Sequence, residues 1–202
     1  MLVAHLDLYY DFGSPNAYLA REAFKQLKQR FDLTVKEHPV LIGGIFKATN
    51  NQPPWLAHGN CAPKMDYMRL EIMRFVQDHG LTKFKMNSHF PVNTLLAMRA
   101  AIAALESGVH EAFISPVFKA MWEDSLDISD SAVLTNILNE AGLDGAGLVA
   151  ATTRTEIKEK LVAATQAAVD RGIFGLPAFF LEDEMYFGKD RVWMIEKKLS
   201  AL

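Results

Sequence analysis

The chain has a single cysteine, Cys61, among 202 residues. One thiol excludes an internal disulfide framework and any intramolecular dithiol chemistry, and it fits a reducing compartment. Basic runs are missing too. The 21 Lys and Arg are outnumbered by 24 Asp and Glu, for a formal net charge of −3, so the electrostatic footprint of a nucleic-acid binder is lacking and no such partner is expected. No apolar stretch approaches the ~20 residues of a membrane span, and the chain starts directly on a strand-like segment. No membrane partner is therefore expected, and the expected location is the cytoplasm. The six histidines form no pair at i+3 or i+4, and His58 with Cys61 is too few ligands, which excludes a structural zinc site.

What is present is an apolar half of the composition, enough to bury a core as one domain or as one domain carrying a large insertion. Residues 5–11 alternate apolar and polar, and 33–41 form a second strand-like run. Between them Ala17, Ala20, Phe24, Leu27 and Phe31 recur at helical spacing, giving a β-α-β opening. From Gly43-Gly44 to Pro63 the periodicity fails, and Asn50-Asn51-Gln52-Pro53-Pro54 reads as a loop long enough to be functional. Residues 64–171 read as helix after helix. One of these spans Val109 to Trp122 and is expected to bend or restart at Ser115-Pro116; another is capped by Asp130 and closed by Gly142. The pattern then returns to strand. Ala178–Leu181 and Met185–Phe187 flank a turn, and Val192, Ile195, Glu196 and Leu199 outline a last amphipathic helix.

Ser14-Pro15-Asn16-Ala17 lies where the first strand passes into the first helix. In thioredoxin-type folds a Cys-x-x-Cys occupies this corner, where exposed N–H groups and the helix dipole favour a thiolate. Here Ser14 and Ala17 stand in the cysteine positions. The corner retains the means to hold a sulfur anion without supplying one, so a bound thiol such as glutathione is the natural candidate. Read alone, Ser-Pro is simply a good helix start. Gly175-Leu176-Pro177, just before the C-terminal hairpin, is the second signal: it stands where thioredoxin-like proteins place a cis-proline facing the corner.

The order of elements and four segments resemble the DsbA-like branch that contains 2-hydroxychromene-2-carboxylate isomerases and kappa-class glutathione transferases. The segments are Asp11 to Leu19; Leu41 to Lys47 followed by Asn51-Gln52-Pro53-Pro54; Gly172 to Pro177; and Phe187-Gly188-Lys189-Asp190-Arg191. The resemblance implies an α/β thioredoxin-like fold interrupted by a large all-helical insertion, with residues 1–45 and 172–202 forming the discontinuous thioredoxin-like part and 46–171 the loop and helical insertion. It implies glutathione as cofactor and assigns roles. Ser14 would donate a hydrogen bond to the glutathione sulfur, a better fit than nucleophilic attack because no base is evident beside it. Asn51 and Lys64 would bind glutathione from the inserted segment. Leu176 would pair with the cysteinyl backbone, with Pro177 fixing its geometry, and Lys189 and Asp190 would receive the γ-glutamyl end.

The implied activity is cis-trans isomerisation of 2-hydroxychromene-2-carboxylate to trans-o-hydroxybenzylidenepyruvate in aromatic hydrocarbon degradation, by a homodimer. Lys47, Lys64 and Arg191 are alternative donors for the substrate carboxylate. Phe90, Trp55 and Trp122 are candidates to roof an apolar pocket. Two other readings stand beside this one: a kappa-like glutathione transferase or peroxidase, and a non-catalytic thioredoxin-fold binding or chaperone-like protein. Cys61 reads as a bystander thiol.

Overall fold

The computed structural model describes residues 3–201. Strand β1 (Ala4–Tyr10) turns Leu6, Leu8 and Tyr10 into the core and Asp7 and Tyr9 to the other face, as the alternation requires. Helix α1 (Pro15–Lys28) crosses to β2 (Leu33–Pro39), which pairs parallel to β1 from Ala4 opposite Leu33 to Tyr10 opposite Pro39. The C-terminal hairpin, β3 (Ala178–Leu181) and β4 (Glu184–Phe187), adds antiparallel on the other edge of β1, giving the order β2-β1-β3-β4. A 3-10 turn at Lys189–Arg191 leads into α10 (Val192–Leu199). This is the β-α-β and β-β-α arrangement that the sequence implied.

Between the halves run α2 (Ile42–Thr49), α3 (Pro54–Ala57), α4 (Ala62–Asp78), α5 (Leu95–Glu106), α6 (His110–Trp122), α7 (Ser131–Glu140), α8 (Gly145–Ala151) and α9 (Thr155–Asp170). None of the described helices is long and apolar enough to cross a membrane. The segment expected as loop from Gly43 to Pro63 contains two of these helices. Its glycines suppress the helical signal, yet Gly44 is where α2 meets α9: a Cβ there would lie 2.9 Å from Thr165 Cγ2. Close tertiary approach outweighs low propensity. Helix α8 was hidden in the same way by Gly145 and Gly147, and it is started by the Asp144 carboxylate accepting from Gly147 N at 2.8 Å. Helix α6 carries Pro116 in its interior without being divided.

Three apolar clusters meet near the end of β1. Leu6, Leu8, Phe24, Phe179 and Ile195 fill the face covered by α1 and α10. Val40, Ile45, Ala168, Ile173, Leu176 and Phe180 fill the face under α2 and α9. The largest belongs to the helical block, where Phe113, Phe118 and Trp122 pack with Tyr10 and Phe12. The corner loop after β1 is anchored in the largest of them through Phe12.

Two histidines are folded into this frame. His38 shares a 2.7 Å hydrogen bond with Asp7 and stacks on Tyr9 at 4.7 Å, while His110 Nε2 meets the buried Tyr10 hydroxyl at 2.8 Å. Burial holds both imidazoles below the ordinary histidine value, although the neighbouring Asp7 opposes it at His38. Asp7 is also held low: burial pushes it up, but hydrogen bonds from Arg171 and His38 outweigh that. All three groups bind protons more readily in the unfolded chain, so stability is full above the unfolded pKa values and falls as pH drops through the folded ones. Lowering the pH from about 7.5 to about 5.5 should cost on the order of 1 kcal/mol from the histidines, read as a lower urea midpoint, with Asp7 adding its loss only below about pH 4. His110→Gln should shrink the first loss; an unchanged midpoint across that range would contradict the assignment.

Candidate active site

Ser14 caps α1. It has extended backbone angles, its Oγ accepts from Ala17 N at 3.2 Å, and Pro15 fills the first helical position. The same hydroxyl donates to the carbonyl of Leu176 at 3.1 Å, a bond buried within the protein. The Leu176–Pro177 peptide is cis. The two signals that sequence placed at separate ends of the chain, 162 residues apart, therefore meet through one hydroxyl group.

The corner has the features that favour an anion at a helix start, and its own carboxylate, Asp11, is already engaged by the N–H groups of Gly13 and Ile42. The first turn of α1 has no acidic residue, so the positive end of the helix dipole is uncompensated. Pro15 brings no N–H, and that of Asn16 has no intrahelical acceptor by position. Asn16 Oδ1 is buried without a donor among the described residues. Ser14 itself is only 4% exposed. No described imidazole or carboxylate bonds its hydroxyl, which would be needed to make it a nucleophile. Its proton is given to the Leu176 carbonyl.

Asn51 joins the corner from α2. Its Nδ2 donates to the Phe174 carbonyl at 2.8 Å and its Oδ1 accepts from Gln52 N at 2.9 Å, so it straps the loop after α2 to the segment that precedes Leu176. The strap is exposed. Ser14, Asn51, Leu176 and Pro177 are thereby linked in one region by direct bonds or chain adjacency.

A DSBA-like thioredoxin domain matches residues 5–200. The chain belongs to that family. It is similar to 2-hydroxychromene-2-carboxylate isomerase of Pseudomonas putida, 28% identical over 200 residues that cover 98% of this chain and 95% of the relative. It is also similar to glutathione S-transferase kappa 1 of Rattus norvegicus, 27% identical over 203 residues covering 94% of this chain and 88% of the relative. A solved 2-hydroxychromene-2-carboxylate isomerase superposes with a TM-score of 0.78 at 24% identity, over 98% of this chain and 95% of that one. The relationship accounts for the fold and places the protein among enzymes.

In this DSBA-like domain the remaining expected site residues are arranged unequally. Gly188 N donates to the Pro177 carbonyl at 2.9 Å, which brings the Lys189-Asp190 turn beside the cis-proline. The Lys189 ammonium, however, is turned inward: it pairs with the Asp190 carboxylate and lies 5.1 Å from the centre of the Phe75 ring. Only Asp190 presents itself to solvent. Lys64 stands apart, exposed in the first turn of α4, with no side-chain bond to the corner among the described residues. Trp122 is fully buried and is core rather than pocket wall; Trp55 packs edge-on against Phe90 at 5.0 Å, and Phe90 against Trp122 at 6.0 Å. A groove of about 280 Å³ between α1, α4 and α10 runs from Lys189 past Gln26 to Arg30. Its nearest residue on α1, Ala23, lies about 13 Å along the axis from Ser14 at a helical rise of ~1.5 Å per residue, so the groove approaches the thiol corner only through its Lys189-Asp190 end.

Sequence reasoning missed two supports of the corner. Trp122 Nε1 donates to the Phe12 carbonyl at 2.8 Å, tying the end of α6 to the loop. Asp11, read as the end of a strand and the first residue of the Asp11–Leu19 segment but given no role, is completely buried and accepts backbone N–H groups. A carboxylate ending an apolar alternation was the available signal for Asp11; Trp122 was singled out only as a pocket wall, and nothing local pointed to its bond with the loop.

Ser14→Ala removes the side-chain cap of α1 and leaves Ala17 N with the main-chain carbonyl of residue 14, at 3.0 Å, as its remaining acceptor. We expect a loss of about 1 kcal/mol in unfolding free energy by denaturant titration, with the fold intact by circular dichroism. A loss below about 0.3 kcal/mol would mean that the cap is dispensable.

Proposed function

We infer that the protein is a glutathione-dependent cis-trans isomerase that converts 2-hydroxychromene-2-carboxylate to trans-o-hydroxybenzylidenepyruvate in aromatic hydrocarbon degradation. The observation that carries this reading is the Ser14 hydroxyl on the carbonyl of the residue before the cis-proline, at a helix N-terminus that lacks any protein thiol. Similarity to isomerases of that name over nearly the whole chain supports the substrate class.

Glutathione would enter as a recycled co-substrate. Its cysteinyl N–H would donate to the Leu176 carbonyl, replacing the Ser14 hydroxyl there, and the released hydroxyl would turn to the sulfur. Backbone recognition and thiol activation would then be one event. Together with the free end of α1, this would lower the thiol pKa. A drop from ~8.5 to ~7 raises the thiolate fraction at neutral pH roughly tenfold. The cyclic hemiketal opens by breaking its ring C–O bond, the hydroxyl losing its proton to become the ketone and the ring oxygen gaining one to become the phenol. The thiolate then adds to the electron-poor alkene carbon of this enone, forming a C–S bond, converting the double bond to a single one and leaving the charge on the carbonyl oxygen as an enolate. Rotation about that bond follows, and elimination breaks the C–S bond to return the thiolate with the isomerised product. Asp190 would receive the γ-glutamyl ammonium, a reading supported by its exposure, with Lys189 as its buried counter-charge. Lys47 and Arg191 are both exposed and remain alternative carboxylate donors.

We further propose that a second copy of the chain covers the exposed side of α4, which buries only Val76 and presents Tyr67, Leu70 and Met73 at three-residue spacing. We expect sedimentation to give a homodimer that Leu70→Glu converts to monomer; a monomeric wild-type protein would remove this reading.

Titrating glutathione while following ultraviolet thiolate absorbance, then adding 2-hydroxychromene-2-carboxylate, tests the activity. Saturable binding and appearance of the enone product are expected. Absence of glutathione binding would sink the proposal, and binding without conversion would point to a transferase of the kappa kind. In Ser14→Ala the bound-thiol pKa should rise by about one unit, with turnover at neutral pH falling about tenfold; equal rates across pH 6 to 9 (about the range where a thiol titrates) would refute the role of Ser14.

A further inference from the structure

Asp11 is the one carboxylate of the corner, and the proposed reaction gives it no task. It is fully buried. Its Oδ1 accepts from Gly13 N at 2.8 Å and its Oδ2 from Ile42 N at 2.9 Å, and the Thr94 side chain lies near it and favours its charged form. Burial raises the carboxyl above its usual range, and these three groups oppose that rise. The three come from different parts of the molecule. Gly13 precedes Ser14 in the corner loop. Ile42 opens α2, the arm whose end carries Asn51. Thr94 stands at the residue before α5 in the helical block, and its side chain makes no capping bond to that helix.

The packing around Asp11 leaves little freedom. A Cβ on Gly13 would lie 3.2 Å from Thr94 Cγ2 and 3.4 Å from Asp11 Oδ1, so the loop, the carboxylate and the threonine are already at contact. Ser14 N donates to the Asp11 carbonyl at 3.1 Å, which connects the same residue by its main chain to the catalytic hydroxyl. A carboxylate with both oxygens engaged by backbone N–H groups holds its partners more strongly than a neutral acceptor.

We propose that Asp11 is a positioning residue for the thiol site, its carboxylate clamping the corner loop that carries Ser14, the α2 arm that leads to Asn51, and the start of α5 in one fixed arrangement. The proposal rests on the glutathione reading for its functional consequence, but the clamp itself has a signature in the ligand-free protein. The amide protons of Gly13 and Ile42 are the ones bonded to the carboxylate, so their hydrogen exchange reports the clamp directly.

Asp11→Asn keeps the shape and replaces one acceptor oxygen by an NH₂ group, which confronts one of the two amides with another donor. We expect exchange at Gly13 or Ile42 to quicken by about tenfold or more, while amides inside the sheet, such as those of Leu8 and Phe179, keep their wild-type rates. Glutathione affinity should fall about tenfold. In an Asn51→Ala background the same substitution should cost much less, because both changes act on one arm, whereas independent effects would multiply. Unchanged exchange at both amides would overturn the clamp. Uniform acceleration across the sheet, or full additivity with Asn51→Ala, would reduce Asp11 to a stabilising residue and equally overturn the proposal. If wild-type protein binds no glutathione, the thiol-site reading fails by itself, and the exchange pattern still decides on the clamp. Should Asp11→Asn fail to fold, Thr94→Val removes only the hydroxyl near the carboxylate; it should quicken exchange at Gly13 or Ile42 by about fivefold, and no change there would count against the proposal.

Discussion

The turn between β1 and α1 is fixed at successive residues by different elements, and the candidate site depends on that fixation. The Tyr10 carbonyl accepts from Val40 N just beyond β2, the Asp11 side chain accepts from the start of α2, and the Phe12 carbonyl accepts from Trp122 at the end of α6. Ser14 then reaches across to Leu176. A serine hydroxyl has one proton to give, so the value of its position lies in how little the surrounding backbone can move when that proton changes partner. The helical block contributes here as a wall of the turn: Phe12 is buried with Phe113 and Phe118 in the largest apolar cluster.

Residues that act through local pattern were legible in the sequence. Alternation gave β1, helical spacing gave α1, and a capping serine followed by proline marked their junction. The hairpin and α10 were similarly clear. The pairing of Ser14 with Leu176 was legible only through resemblance, because nothing local links residues so distant in the chain. Helices α2 and α8 escaped because their glycines serve contacts with α9 and α7, and a contact made by the absence of a side chain leaves no apolar stripe to read. Asp11 escaped for a related reason. Its partners are backbone groups brought to it by the fold, and any residue type can supply a backbone N–H.

The Asn51 strap has a double character. It was expected to face a ligand, and it instead spends its amide on Phe174 and its oxygen on Gln52. Both bonds are at the surface, where exchange with a ligand's own donors and acceptors costs little net free energy. A side chain that is satisfied without ligand, yet bonded to the segment leading to the cis-proline, keeps the loop near its working position. Less ordering then remains to oppose binding.

The inward turn of Lys189 makes its neighbour indispensable in a different sense. Its ammonium is nearly inaccessible, and its one carboxylate partner is the half-exposed Asp190. An unpaired buried charge costs several kcal/mol, far more than a lost surface contact. The two positions are therefore expected to change together in evolution, as charge with charge or as neutral with neutral. A chain that kept Lys189 while losing Asp190 would suffer first in its folding and only second in whatever it binds.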